Sequence, residues 1–340
     1  MIKAKKLVTG LLLVSLLLAS LVGCSPSANT SGDTGSGENK TSDSGSNWPK
    51  SAVEIVLPYS PGGEVDLSAR IFAKYLTQEL GENFVVTNMP GASGSICYDH
   101  VANSDPDGHT LTYCHDAKII GNVAGVVQQS YKDFEIGGMA VQGTTQVWSA
   151  RADSEYNTVE KIVEKLKQDP GSLSFATILG GFTHLEMLAF QDEAGVELKA
   201  LDVGASAADH LSALLGGHVD IATNAYTLVK DYVETGELVV LGNVSAERDP
   251  FIPDIPTFKE QGVNLEFSRI YPFYFPKGTP KEVIDRFSSA IEKISQDENF
   301  IADMEGLFLN VKYYSPEETT AIVAEKYDYI NSFDELKPNN

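Results

Sequence analysis

Hydrophobic and polar positions along the chain repeat one unit, in which a short apolar strand meets a glycine-rich turn and then a helix. The first copy is VEIVLPYSPGGEVDLSAR at residues 53–70, where β-branched and apolar residues give way to PGG at 61–63. Apolar residues from Leu67 to Leu80 then recur mainly three and four positions apart, which is the helical period. The first amides of a helix lack partners and carry partial positive charge, so this turn predicts an anion cradle. Turns of this kind also occur in α/β proteins without an anion site.

The unit continues through the first part of the chain. The predicted elements are a strand at 83–88, a glycine-rich turn at 90–95, a helix at 96–102 and a strand at 111–113. Strands that alternate with helices predict a parallel sheet with crossover helices. Open sheets of this class bind ligands at the carboxyl ends of their strands, where both glycine turns lie.

The same pattern returns after a largely apolar stretch, 134–150, that we expect to cross into a second domain. Thr158 is expected to cap a helix there. The later predicted elements are strands at 173–176, 198–203 and 219–223, turns at 178–183 and 204–206, and helices at 184–194 and 207–215. An aromatic strand is expected at 270–275 and mainly helices from 281, which pack back on the first domain. We predict domain 1 at 48–148 plus 273–340 and domain 2 at 149–272, with a ligand cleft between them.

The N-terminus has the organisation of an export signal. Three lysines precede an apolar run, 7–21, that is short for a membrane span. The sequence LVGC at 21–24 resembles a bacterial lipobox, in which the cysteine is lipidated and becomes the mature N-terminus. Residues 25–47 are almost all Ser, Gly, Thr, Asn and Asp, which predicts a flexible tether. We therefore expect signal 1–23, lipidated Cys24 with its tether at 24–47, and an extracytoplasmic, membrane-anchored protein.

Composition limits the classes of molecule that the protein is expected to bind. The 47 acidic residues exceed the 25 basic ones, and the formal net charge of −22 disfavours nucleic acid. Cys97 and Cys114 could form a disulfide outside the cytoplasm, although two buried thiols are slightly favoured. Their spacing from the nearby histidines matches no standard metal site, so we expect no metal and no cofactor.

Motifs spread over residues 49–333 give the chain a family resemblance. In order they are YSPGG (59–63) with Asp66 and AR (69–70), NMPGASG (88–94), PDGHTL (106–111), HL (184–185), LGGHVD (215–220), DIPTFKE (254–260) and PKGTP (276–280). The chain resembles the substrate-binding proteins of tripartite tricarboxylate transporters, also called Bug receptors. The resemblance implies an α/β, two-domain periplasmic-binding-protein fold (venus flytrap, type II). It also implies delivery of a small organic acid to a permease with one large and one small integral subunit.

The same resemblance implies a ligand site. In that family a small carboxylate lies between two facing turns, held by main-chain amides, hydroxyls and bridging waters. Carried over, the expected ligand-binding residues are Tyr59, Ser60, Gly62, Gly63, Glu64, Asp66, Ala92, Ser93, Gly94, Gly180, Gly181, Thr183, His184, Asp202, Ser206 and Asn224. Three of them have other readings: Asp66 as a helix cap, His184 as a tie within its turn, and Asn224 as a strand-end turn residue.

Two positions depart from the family pattern. Glu64 stands where a small residue is usual, and Gly181 stands where a serine or similar hydroxyl is expected. A carboxylate at the pocket mouth would repel an anion by about a few kcal/mol if desolvated, and by less if wet. Glu64 therefore points either to solvent or to a ligand that carries an amine or is neutral.

Two other classes of function are alternatives for the same sequence, an enzyme and a sensory binding protein. An enzyme is not expected, because Ser60, Ser93 and Ser206 have no His and Asp partners in recognisable motifs. A sensory binding protein, docking on a receptor kinase instead of a permease, would share the fold. We expect a monomer in either case.

Overall fold

Two lobes, each built on its own β-sheets, make up the part of the chain that the computed structural model describes, residues 47–204 and 206–337. The export signal, the predicted lipidation site Cys24 and nearly all of the tether lie outside the described residues. The strands are β1 (Val53–Leu57), β2 (Phe84–Asn88), β3 (Thr110–Tyr113), β4 (Phe134–Ile136), β5 (Met139–Gly143), β6 (Gln146–Arg151), β7 (Ser174–Thr177), β8 (Lys199–Asp202), β9 (Ala222–Ala225), β10 (Leu238–Asn243), β11 (Arg269–Ile270), β12 (Phe273–Pro276) and β13 (Asn310–Tyr314). The helices are α1 (Glu64–Leu80), α2 (Ser95–Ala102), α3 (Ala117–Val123), α4 (Val159–Gln168), α5 (Phe182–Ala194), α6 (Ala207–Leu215), α7 (Tyr226–Glu234), α8 (Lys281–Ile294), α9 (Glu298–Glu305) and α10 (Pro316–Ile330).

The first lobe is organised on a five-stranded sheet with the order β2-β1-β3-β12-β4. The predicted parallel unit is confirmed, since β1 pairs in parallel with β2 and β3, and Ile55 lies opposite both Val86 and Leu111. β12 runs antiparallel to its neighbours. Ile55 and Leu57 are fully buried, as expected for a parallel strand that is covered on both faces.

The second lobe contains an antiparallel sheet, β10-β6-β9, and the parallel pair β7-β8. A parallel bridge between Phe175 and Ile221 links the two. Trp148 of β6 fills the core, with its ring centroid 4.5 Å from Phe175 and 4.9 Å from Phe190. The carboxyl ends of β7 and β8 therefore lie at one edge, where the segments that follow Thr177 and Asp202 begin.

The chain passes between the lobes near the small sheet β11-β5-β13. β5 leads into β6, and β11 returns to pair with the end of β5. The prediction of one strand over 270–275 is wrong, because Tyr271 and Pro272 separate β11 from β12 and the two strands join different sheets.

The C-terminal tail packs on the first lobe, as expected. Lys293 of α8 lies 2.6 Å from Glu79, and Asp303 of α9 lies 2.9 Å from Lys74. The tail also contains β13, which the sequence pattern did not predict. The residue boundaries assigned to the two domains stay a prediction.

Both cysteines in the described part are free and buried, which confirms the preferred interpretation. Burial raises the pKa of Cys97 and of Cys114 to about 12, so both thiols are unreactive at neutral pH. Between residues 47 and 337, leaving out 205, no helix has the length and apolar character of a membrane span. The same residues hold no group of three His, Cys, Asp or Glu side chains suited to a metal ion.

Candidate functional site

The first turn is held by Asp66, which is only 3% exposed. Its carboxylate accepts hydrogen bonds from the Gly62 amide (2.9 Å), from Arg70 (2.9 and 3.1 Å) and from the Asn88 side chain (2.9 Å). The Arg70 guanidinium, with help from the Gly62 and Asn88 amides, lowers the pKa of Asp66 to about 2. Asp66 therefore fixes the turn, while Gly63 occupies the N-cap of α1 and no side chain caps that helix.

The second turn has the same construction. The Gly180 amide donates to Nδ1 of His184 (3.1 Å), four residues later, as Gly62 does to Asp66. Gly181 occupies the N-cap of α5, again without a side-chain cap. Gly62 and Gly180 both have positive φ, +89° and +74°. Both helices thus present uncapped amide ends beside a braced glycine.

Several predicted ligand-binding residues of the second turn form hydrogen bonds within the turn itself. His184 braces Gly180, and the Thr183 hydroxyl accepts from the Ile178 amide (3.0 Å). A Cβ at Gly181 would lie 3.0 Å from the Ile178 carbonyl oxygen. That crowding gives a physical reason for glycine where the family pattern leads one to expect a hydroxyl residue.

The turn at 90–95 lies against the first turn. Ala92 and Ser93 have φ of 47° and 55°, and Gly94 has φ of 92°. A left-handed conformation costs a non-glycine residue about 1–2 kcal/mol, and such strain concentrates at functional sites. A Cβ at Gly94 would lie 3.0 Å from Pro58, so glycine allows the close approach.

An aromatic group connects the first turn with the returning chain. Tyr59 stacks on His115 with centroids 5.0 Å apart, and Tyr271 lies edge-on to His115 at 6.1 Å. Tyr271 donates a hydrogen bond to Glu64, the first residue of α1. Burial, and next the charge of Arg269, lower the pKa of His115 to about 3, so this ring is neutral at physiological pH.

Arg269 of β11 adds a cation that sequence reasoning missed. Its Nη2 donates to the Gln146 side-chain oxygen (3.2 Å), and its guanidinium carbon lies 4.9 Å from the Phe182 ring centroid. Its Nε is buried and has no hydrogen-bond partner within the described structure. Burial opposes its charge, but Tyr271, Glu64 and Glu186 favour it, so the pKa of Arg269 rises above its usual value.

Glu186 of α5 is a second functional candidate that the sequence did not indicate. It is fully buried, and neither carboxylate oxygen has a hydrogen-bond partner among the described residues. Burial raises its pKa to about 7, although the positive charge of Arg269 acts in the opposite direction.

The remaining predicted residues divide into exposed and buried positions. Ser60 and Asp202 are exposed. Ser206 is exposed as well, and its hydroxyl is used in a capping box with Asp209. Asn224 is 1% exposed, and both polar atoms of its amide lack a partner within the described structure. Of Asp202, Ser206 and Asn224, Asn224 is therefore the buried residue whose side-chain amide is free to hydrogen-bond with a ligand.

A groove of about 870 Å³ lies elsewhere, beside α10. Its lining includes Asp116, Phe267 and Lys326, and none of the predicted ligand residues contributes to it. Lys326 and Asp116 form an ion pair of 3.1 Å within it. The groove is therefore lined by other residues than the predicted ones, although Leu185, which follows His184, contributes to it.

Comparisons with known proteins show which family this chain resembles. The family model described as tripartite tricarboxylate transporter family receptor matches residues 68–332. A UPF0065 protein in the tcbD-tcbE intergenic region of Pseudomonas sp. (strain P51) is 30% identical over 252 residues, which cover 72% of this chain and 74% of that protein.

Solved structures are similar over most of the chain. A TctC solute binding protein from Polaromonas, solved without ligand, has a TM-score of 0.72 and 26% identity, covering 84% of this chain and 98% of that one. MatC from Rhodopseudomonas palustris, solved with bound malate, has a TM-score of 0.69 and 22% identity, covering 85% and 100%. They confirm the predicted α/β, two-domain periplasmic-binding-protein fold.

Proposed function

The chain belongs to the tripartite tricarboxylate transporter family of receptors, and from that premise we propose that it captures a small organic acid in its cleft and delivers it to a membrane permease. The family consists of periplasmic solute-binding receptors, not of enzymes. MatC, a structural neighbour, holds malate. An organic acid is the ligand class that this relationship favours.

The observation that carries the proposal is the matched pair of turns. Each has a glycine with positive φ whose amide is tied to a side chain four residues on, followed by a glycine at an uncapped helix N-terminus. Uncapped amides and the helix dipole favour negative charge. We infer that the two ends face one cleft, where they would bind a carboxylate from both sides.

Anchoring and delivery complete the proposal. Lipidation at Cys24 would hold the receptor at the membrane, and the tether 25–47 would let it reach the permease subunits. A monomer is sufficient for this role. The predicted ligand-binding residues remain the candidates for contact, with Asp66, Thr183 and His184 acting through the turns that they brace.

The test is calorimetric titration of the protein with malate, adipate, benzoate and phenylacetate, supported by thermal unfolding. A ligand at a hundredfold excess over its Kd should raise the free energy of unfolding by about 2.7 kcal/mol. Absence of both heat and stabilisation with all four acids would contradict the proposal.

A further inference from the structure

Arg269 is a cation without an anionic partner. Among the described residues, Arg70, Arg151 and Arg248 form ion pairs within 4 Å of a carboxylate, whereas Arg269 forms none. Its Nη2 donates to a neutral amide oxygen, that of Gln146, which is itself 5% exposed. Arg269 is half-buried, and Glu64 and Glu186 favour its charge without forming an ion pair with it. Its buried Nε is a donor without an acceptor, and a bound anion would supply that acceptor.

An anion bound by Arg269 would lie near the starts of α1 and α5, which follow the two turns. The guanidinium lies over Phe182, the first residue of α5 and the neighbour of Gly181. Tyr271, two residues after Arg269 in the link between β11 and β12, donates a hydrogen bond to Glu64 at the start of α1. Tyr271 also acts on the charge of Arg269, so the two side chains lie near each other. Arg269 and Tyr271 therefore connect the returning chain to one uncapped helix end each.

The neighbouring carboxylates limit how much negative charge the cleft can take. Glu64 and Glu186 lie close enough to act on the charge of Arg269. Glu64 is occupied by the Tyr271 hydroxyl, and Glu186 is fully buried. With one free guanidinium and two acidic side chains around it, a second carboxylate on the ligand would meet repulsion.

The walls beside Arg269 are aromatic. Phe182 lies under the guanidinium, and Tyr59, His115 and Tyr271 form a stacked and edge-on group. The His115 ring is neutral at physiological pH, because burial lowers its pKa. Such walls suit an uncharged, apolar body better than a second charged end.

We propose that Arg269 binds the carboxylate of the ligand, and that the ligand is a monocarboxylate with an apolar body. The inference rests on the proposed function and specifies the ligand class for the same cleft. An arginine can hold a carboxylate through two parallel hydrogen bonds, and its buried Nε is one donor still free for this.

The experiment compares four probes on the full-length protein by calorimetry: phenylacetate, benzoate, benzamide and malate. The wild type should bind a monocarboxylate at least tenfold more tightly than malate, and should not bind benzamide. Arg269→Gln should weaken monocarboxylate binding by roughly 10- to 100-fold, as expected for loss of a charged hydrogen bond. Arg269→Lys keeps the charge but cannot form two parallel hydrogen bonds with a carboxylate. Its monocarboxylate affinity should therefore lie between those of the wild type and Arg269→Gln.

The control is Arg286→Gln on the exposed face of α8, which should bind as the wild type does. Thermal unfolding of the ligand-free proteins shows whether each variant is folded at the temperature of the titrations, so that a loss of affinity reports binding and not unfolding.

The remaining outcomes separate this inference from the function on which it rests. Equal monocarboxylate affinity in Arg269→Gln and wild type would overturn the role of Arg269 alone. Tighter binding of malate than of either monocarboxylate would overturn the ligand class. No binding of any acid by the wild type would overturn the proposed function as well.

Discussion

The phenol of Tyr271 donates a hydrogen bond to the carboxylate of Glu64, 207 positions earlier in the chain. Tyr271 is fully buried between β11 and β12, where the chain returns to the first lobe. Glu64 follows the two glycines of the first turn. The residue that departs most from the family pattern is therefore tied to the returning chain instead of extending into solvent.

Because of this contact, substitution of Glu64 tests whether its negative charge weakens the binding of an anionic ligand. Glu64→Gln keeps an acceptor for Tyr271 and removes a negative charge near Arg269. We expect monocarboxylate affinity to rise about two- to tenfold, and more at low salt, since salt screens the repulsion. Calorimetry at two salt concentrations measures the effect.

Glu79→Gln is a suitable control, because it removes a carboxylate at the other end of the same helix. Its affinity should equal that of the wild type. Unchanged affinity in Glu64→Gln at both salt concentrations would show that Glu64 does not act on the ligand.

The two ends of α1 offer a matched pair of glycines. Gly62 and Gly81 have φ of +89° and +81°, and a Cβ at either would meet no atom within 4 Å. Replacing either glycine with alanine should therefore lower the free energy of unfolding by about 1–2 kcal/mol, because alanine is strained in the left-handed conformation. Only Gly62→Ala should also weaken organic-acid binding, because it disturbs the amides of the first turn.

Thermal unfolding and calorimetry on both variants test this expectation. Equal loss of affinity in both would mean that the effect is one of general stability. If both variants bind organic acids as tightly as the wild type, the first turn does not contribute to the binding site.

Glu186 predicts a pH dependence of stability. Its pKa rises from 4.5 to about 7 on folding, mainly through burial. Between these values the unfolded state releases a proton that the folded state keeps, so this contribution to stability falls as the pH rises from about 4.5 to 7. Glu186→Gln removes the penalty, and at pH 8 the variant should be more stable by up to roughly 3 kcal/mol.

Urea unfolding at pH 4, 6 and 8 measures this difference. The gain should be small at pH 4 and grow with pH. Glu292→Gln, which changes an exposed carboxylate on α8, should show no such trend. A constant offset between Glu186→Gln and the wild type at all three pH values would contradict the assignment.

Anchoring is tested at Cys24. Cys24→Ser removes the acceptor of the lipid, so the protein should appear in the soluble fraction or persist as an unprocessed precursor. Fractionation and the mass of the mature protein distinguish these results from the wild type. Normal maturation with unchanged membrane association would contradict the lipobox interpretation.

Elements set by local patterns were predictable from the sequence. The run at 53–57 with the PGG turn indicated β1 and the start of α1, and Thr158 indicated the start of α4, where its hydroxyl accepts from the Lys161 amide. Apolar period, glycine and capping residues act within a few positions, so the chain displays them without its fold.

Contacts across long stretches of sequence were decided by the tertiary structure. Arg269 meets Gln146 across 123 positions, and Tyr271 meets Glu64 across 207. The aromatic run at 270–275 looked like one strand, yet Pro272 has no amide hydrogen to donate and the flanking strands join different sheets. The sequence by itself determined the two glycine turns and the family. The charge and shape of the cleft between them depend on side chains that only folding brings together, because no local period records which distant residue will face them.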